Sequence, residues 1–197
     1  MKKALGFVLL CLCLLLAGVS SAFSTPIASG TVTLDGTESL TSTLRVFRNG
    51  VPSTWLSPKA FPGTLVCSGG DCFYETVSLT PGLLEFVRAT YDWDSGGAAN
   101  IFVVGYLNSF DVNNLSTNYL GDPGFSVLQS EPGPRSFEVF VPDGNSLVLA
   151  FSTVTPSSFG SVSYSVEGFG AVPEPSTMLL LGSGLIGLWG ARKKFKK

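Results

Sequence analysis

The sequence predicts an all-β fold: an antiparallel β-sandwich, jelly-roll-like, with an N-terminal signal helix before it and a single C-terminal transmembrane helix after it. Three observations carry this expectation. Short interior runs alternate apolar and polar side chains with the period of two that a half-buried strand requires. Glycine and proline clusters punctuate the gaps, and no interior segment has a convincing helical period. Finally, two long apolar stretches flank the 197-residue chain.

Met1 to Ala22 has the parts of a secretory signal peptide. Lys2 and Lys3 form a basic start, and Leu5 to Ala17 supply thirteen mostly apolar residues. Ser20-Ser21-Ala22 places small side chains at the minus-three and minus-one positions, so cleavage is expected before Phe23. Cys11 and Cys13 follow Leu10 and Leu12 rather than a small residue, which argues against lipidation.

Residues 23–172 form the expected exported β-sandwich domain, long enough for one real core. Strand candidates in order are Thr31 to Leu34, Ser42 to Phe47, Phe73 to Leu79, Leu83 to Tyr91 and Ile101 to Leu107. Phe137, Val139 and Val141 then alternate with Ser136, Glu138 and Phe140. Pro142-Asp143-Gly144-Asn145 reads as a turn into Leu147 to Phe151, which suggests a hairpin. The cleanest alternation comes last, with Val162, Tyr164 and Val166 set against Ser161, Ser163, Ser165 and Glu167. Seven to nine such strands suit an antiparallel sandwich.

From Pro175 to Ala191 run seventeen uncharged residues, followed by Arg192-Lys193-Lys194-Phe195-Lys196-Lys197. As a helix the run reaches roughly 25 Å at ~1.5 Å per residue, the short end of what spans a bilayer. No polar face recurs at helical spacing. The basic cluster is expected to stay cytoplasmic and leave the body outside, with Trp189 as an interfacial aromatic anchor. Ser183, Gly187 and Ala191 recur every four residues, a stripe compatible with helix pairing, although the abundance of small residues in this tail explains it as well. Before the run stands Val172-Pro173-Glu174-Pro175-Ser176-Thr177. Its two prolines hold the backbone extended, which makes a stiff handle for a recognition site.

This order of parts resembles the PEP-CTERM sorting signal of exported bacterial proteins. Pro173, Glu174 and Pro175 match its motif, Met178 to Gly190 its membrane portion, and Arg192 to Lys197 its basic end. The resemblance implies that residues 173–197 are a sorting signal and that an exosortase, a membrane cysteine transpeptidase, is the processing partner. It also implies an inner-membrane-anchored precursor whose body passes to the cell surface or extracellular matrix. The stretch from Phe73 to Phe169 resembles the jelly-roll-like sandwiches related to the bacterial pre-peptidase C-terminal domain. That likeness rests on V-G-Y-L-N-S-F-D, N-Y-L-G-D-P-G-F-S, V-P-D-G-N-S-L-V-L and Y-S-V-E-G-F, and it implies fold without activity.

Charge and composition narrow the function. Between Lys3 and Arg192 there are five basic and fourteen acidic residues, a formal charge of −9, so a nucleic-acid partner is not expected. Histidine is absent, which removes the commonest general base and zinc ligand. No cofactor and no catalytic residues are assigned. Cys67 and Cys72, in C-S-G-G-D-C, are expected to form a disulfide in an oxidising compartment, pinning a turn. Asp92 and Asp94, in Y-D-W-D-S-G-G, are weak candidates for calcium, but the twelfth position of an EF-hand counted from Asp92 is Val103. Tyr91, Trp93, Tyr106 and Tyr119 would suit either a sugar-stacking face or a packed core.

The expected function is a non-catalytic surface or matrix protein, in contact with exopolysaccharide. The alternatives are a secreted carbohydrate-active enzyme pairing Asp92 with Asp94 or Glu85, and a calcium-stabilised adhesion module.

Overall fold

The computed structural model describes residues 24–80, 85–95, 100–128, 130–131 and 133–169. The signal segment, the Pro173-Glu174-Pro175 motif and the C-terminal apolar run lie outside them. Ser24–Gly170 forms one compact unit. Among the described residues there are twelve strands and no helix: β1 (Ser24–Leu34), β2 (Leu40–Ser42), β3 (Leu44–Val46), β4 (Thr64–Val66), β5 (Cys72–Leu79), β6 (Phe86–Ser95), β7 (Asn100–Leu107), β8 (Tyr119–Gly121), β9 (Val127–Leu128), β10 (Arg135–Phe140), β11 (Leu147–Thr153) and β12 (Gly160–Phe169).

These strands make a β-sandwich. One sheet has the order β1-β12-β6-β10 and the other β2-β5-β11-β7-β8, with β9 also pairing β7; β3 and β4 form a separate two-stranded ribbon. All named pairings are antiparallel. From β5 onward the chain hops between the sheets, β5 to β6 to β7 and then β10 to β11 to β12, the alternation of a jelly roll.

The alternating runs supply the inner faces. Val32 and Leu34 from β1, Val87, Ala89 and Tyr91 from β6, Phe137 and Val139 from β10, and Val162 and Val166 from β12 meet Ile101 and Val103 from β7 and Leu147, Leu149 and Phe151 from β11 in one core. The outer-facing partners on β6 are Arg88, Thr90 and Asp92, all only part-covered.

The central strands of the second sheet behave differently. All seven residues of β11 are buried, and β7 is buried from Ile101 to Tyr106. Phe102, Val104, Tyr106, Val148 and Ala150 face away from the first core and build a second one with Val46, Cys67, Cys72, Tyr74 and Leu115. The uninterrupted apolar run Leu147–Phe151 is the sequence signature of such two-sided burial. The disulfide Cys67–Cys72 forms as expected and sits in this outer core.

The expected hairpin at Pro142–Asn145 is not one. Asn145 N donates to Pro142 O at 3.1 Å, so the turn exists, but β10 pairs β6 in the first sheet while β11 pairs β5 and β7 in the second. The turn is an arch across the core. A hairpin would have placed Phe137 and Leu149 in one sheet; the arch puts them on different sheets of the same core.

Buried tyrosines staple the loops to the sheets. The Tyr74 hydroxyl donates to Leu44 O at 2.6 Å, that of Tyr91 to Phe125 O at 2.8 Å and that of Tyr106 to Leu115 O at 3.2 Å. Burial pushes the phenol pKa of Tyr74, Tyr91, Tyr106 and Tyr119 well above its ordinary value. These phenols are bound as neutral donors. The folded state therefore retains protons that the unfolded chain releases above about pH 10, so stability is full below that pH and falls as pH rises beyond it. Urea denaturation between pH 8 and 12 should show a declining midpoint above about pH 10, with the tyrosinate absorbance of these four phenols, followed in a Tyr164→Phe background, appearing together with unfolding rather than before it.

Candidate functional site

Two loops of the Ser24–Gly170 unit are zipped together. One follows β3 and the other follows β8. Gly50 N donates to Gly124 O at 3.1 Å and Ser53 N to Asp122 O at 2.9 Å. Turn-forming residues mark both segments in the sequence, Asn49-Gly50 and Asp122-Pro123-Gly124. Gly124 has φ +76°, and a Cβ there would lie 2.4 Å from Val51 N, so the close approach of the two backbones requires glycine.

The Asp122 carboxylate organises the junction. It is fully buried, and it accepts from Lys59 Nζ at 2.5 Å, from Gly124 N at 2.6 Å and from the Tyr119 hydroxyl at 2.5 Å. The Lys59 side chain is itself only 6% exposed. Charge, amide and phenol together satisfy a carboxylate that would otherwise be costly to bury.

Beside this junction opens a cleft of about 210 Å³, with Arg48, Phe125, Ser126, Glu131 and Arg135 in its wall. Arg48 donates through Nη1 to Ser126 Oγ and, at 3.3 Å, to Asn100 Oδ1; Ser126 Oγ donates to the same Asn100 oxygen at 2.6 Å. Its hydrogen-bond partners are thus neutral, and burial lowers its pKa from the ordinary arginine value. Arg135 Nη1 reaches Gly133 O at 3.4 Å. Arg45, buried on β3, has its pKa lowered by burial and then by the charge of Arg48, and its Nε has no partner.

Sequence-derived candidates fall elsewhere. Asp92 Oδ1 accepts from Trp93 N at 2.8 Å and Gly133 N at 3.1 Å, holding the approach to β10 against β6. Asp94 lies where the β6–β12 register shifts, since Ser161 pairs Ser95 and Val162 pairs Trp93; its Oδ2 accepts from Ser95 Oγ at 3.4 Å. Glu85 precedes the far end of β6, seven residues and roughly 23 Å from Asp92 at ~3.3 Å per residue. The structure does not bring Glu85 and Asp92 together. Among the described residues no group of three or more Cys, Asp or Glu side chains is placed to hold a metal ion. Tyr91 and Tyr106 are core residues, 2% and 0% exposed, so the aromatic set does not form a sugar-stacking face. The exposed aromatic ring at the cleft is Phe125, at 53%. Sequence reasoning missed it together with Arg48 and Arg135; the two turn motifs and the scarcity of basic residues were the available signals.

Residues 171–194 match the family model of the PEP-CTERM protein-sorting motif, a span that includes Pro173, Glu174 and Pro175. This is a PEP-CTERM sorting-domain protein. The signal makes it an exported chain sorted by an exosortase. No curated protein and no solved structure matches the PEP-CTERM protein. Among the described residues no helix is long and apolar enough to cross a membrane, and the apolar tail lies outside them.

Replacing Asp122 by Ala strands the buried Lys59 ammonium and should lower unfolding free energy by about 3–5 kcal/mol, read from urea titration. Glu138→Ala removes the half-exposed Arg88 pair, 2.6 Å apart, and should cost about 1 kcal/mol or less in the same titration.

Proposed function

We propose that this is a non-catalytic component of the cell surface or extracellular matrix, delivered through an inner-membrane precursor whose tail an exosortase removes at or near Pro173-Glu174-Pro175. The match at residues 171–194 carries the reading. The register of the sandwich supports it: Ser24 pairs Phe169, so the first and last described strands end side by side. The chain therefore enters and leaves the body at neighbouring positions, where the segment expected to direct export and the segment that directs sorting are joined to it.

Phe169, the last residue of β12, is held in place. Trp55 packs its ring at 4.9 Å from that of Phe169, and the Arg88 guanidinium stands 5.0 Å from the same ring. The sorting motif therefore begins four residues beyond a fixed strand end, which suits handling of the tail while the body stays folded.

The non-catalytic reading draws on the chain's lack of histidine and on the placement of its acids, with Asp92 occupied by two backbone amides. Contact with extracellular polysaccharide is proposed as the role of the exposed body.

Replacing Pro173, Glu174 and Pro175 with alanine should make the full-length precursor accumulate in the membrane fraction, whereas the natural chain yields a body trimmed near residue 173. Intact mass of the natively expressed protein and fractionation measure this. Unchanged trimming and surface delivery of the triple variant would overturn the sorting assignment. Failure of the body to co-sediment with the producing cell's polysaccharide would overturn the matrix contact alone.

A further inference from the structure

The cleft beside Asp122 gathers two cations, Arg48 and Arg135, and one carboxylate, Glu131, in an otherwise acidic body. Five basic residues lie in the β-sandwich unit: Arg45, Arg48, Lys59, Arg88 and Arg135. Lys59 is paired with Asp122 and Arg88 with Glu138. Among the described residues the other three form no ion pair, although acidic side chains outnumber basic ones. Arg48 and Arg135 both line the cleft, and Arg45 is close enough to Arg48 to feel its charge. The cleft's carboxylate, Glu131, makes no ion pair with either. A half-buried guanidinium held by neutral oxygens has lost part of its hydration without gaining a counter-charge, a state that favours an incoming anion.

The wall is also fixed before any ligand arrives. The Phe125 carbonyl is held by the buried Tyr91 hydroxyl, and Gly124 N by Asp122. Over Gly50 the Phe125 ring passes so closely that a Cβ would stand 3.2 Å from its Cζ. A half-exposed aromatic ring whose backbone is hydrogen-bonded in place, in the same wall as two guanidiniums, offers an apolar face next to a carboxylate grip. The cleft, at about 210 Å³, is smaller than the ~300 Å³ at which drug-sized pockets begin, and suits one sugar ring.

We propose that this cleft binds a single pyranose ring carrying a carboxylate, a hexuronate unit set among neutral sugars, with Arg48 and Arg135 on the carboxylate and Phe125 stacked on the ring. The choice of a saccharide rests on the matrix reading above. The acidic surroundings select against a densely charged polyanion, because repulsion from many carboxylates acts along its whole length. An isolated uronate is screened from charges farther than about 8 Å at physiological salt and responds to the cleft itself.

The test is calorimetric titration of the full-length protein with three probes: a neutral trisaccharide ending in one glucuronate, the same compound with its carboxylate reduced to an alcohol, and inorganic phosphate. The glucuronate compound should bind, with the other two at least tenfold weaker. Arg135→Gln should weaken that binding tenfold or more and Arg135→Lys by less, since an ammonium keeps the charge but not the fork. Phe125→Ala should weaken glucuronate binding and leave phosphate unchanged. Near-UV circular dichroism checks that each variant is folded. Equal binding of the reduced compound, no binding of the acid, or no effect of Arg135→Gln in folded protein would overturn the proposal. Phosphate binding as tight as glucuronate would overturn its saccharide part. Tail trimming in Arg135→Gln should be normal, so loss of the cleft's ligand and loss of sorting are read separately.

Discussion

Strands β7 and β11 are apolar on both faces, and the rest of the body is arranged to cover them. Their inner faces meet the first sheet, as in any sandwich. Their outer faces carry Phe102, Val104, Tyr106, Val148 and Ala150, which no second sheet covers. At ~25 cal/mol per Å² of apolar surface, leaving five such side chains in water would forfeit several kcal/mol, a large part of a domain's net stability. The ribbon β3–β4, the disulfide turn and the segment around Leu115 meet that demand, and so the chain between β1 and β5 is a structural layer rather than a long slack loop.

Covering a sheet with irregular chain creates a second demand, because loop backbone and its polar side chains are then partly buried. Asp122 meets much of it at one point. Its carboxylate takes a lysine, an amide and a phenol, while its backbone carbonyl takes Ser53 N. Tyr74, Tyr91 and Tyr106 do the same elsewhere with loop carbonyls. The cleft follows from this arrangement: where two glycine-containing loops are drawn together, the side chains flanking them, Arg48 and Phe125 among them, are held at a fixed edge with nowhere to collapse.

Charge is sorted along the chain and again in space. Along the chain, seven of twelve basic residues lie in the terminal clusters, and the C-terminal one overlaps the sorting motif. Within the body, two of the five cations are matched to carboxylates and three gather near the cleft. The two patterns are separate in the chain, because the sorting motif matches residues 171–194 and the cleft is lined by residues between 48 and 135.

By itself the sequence determined the C-terminal sorting motif, the all-β class and the inner faces of the sandwich. Each of these is local: a Pro-Glu-Pro motif, or a period of two along a strand such as Val162–Val166, is complete within a few residues. The disulfide was legible for the same reason, with two cysteines five positions apart. Only the tertiary structure decided that Pro142–Asn145 arches between sheets, that Tyr91 and Tyr106 are core and not surface, and that Arg48 and Arg135, 87 positions apart, share a wall. Pairing partners, two-sided burial and unmatched charge depend on which distant segments meet, and periodicity along one segment carries no record of that meeting.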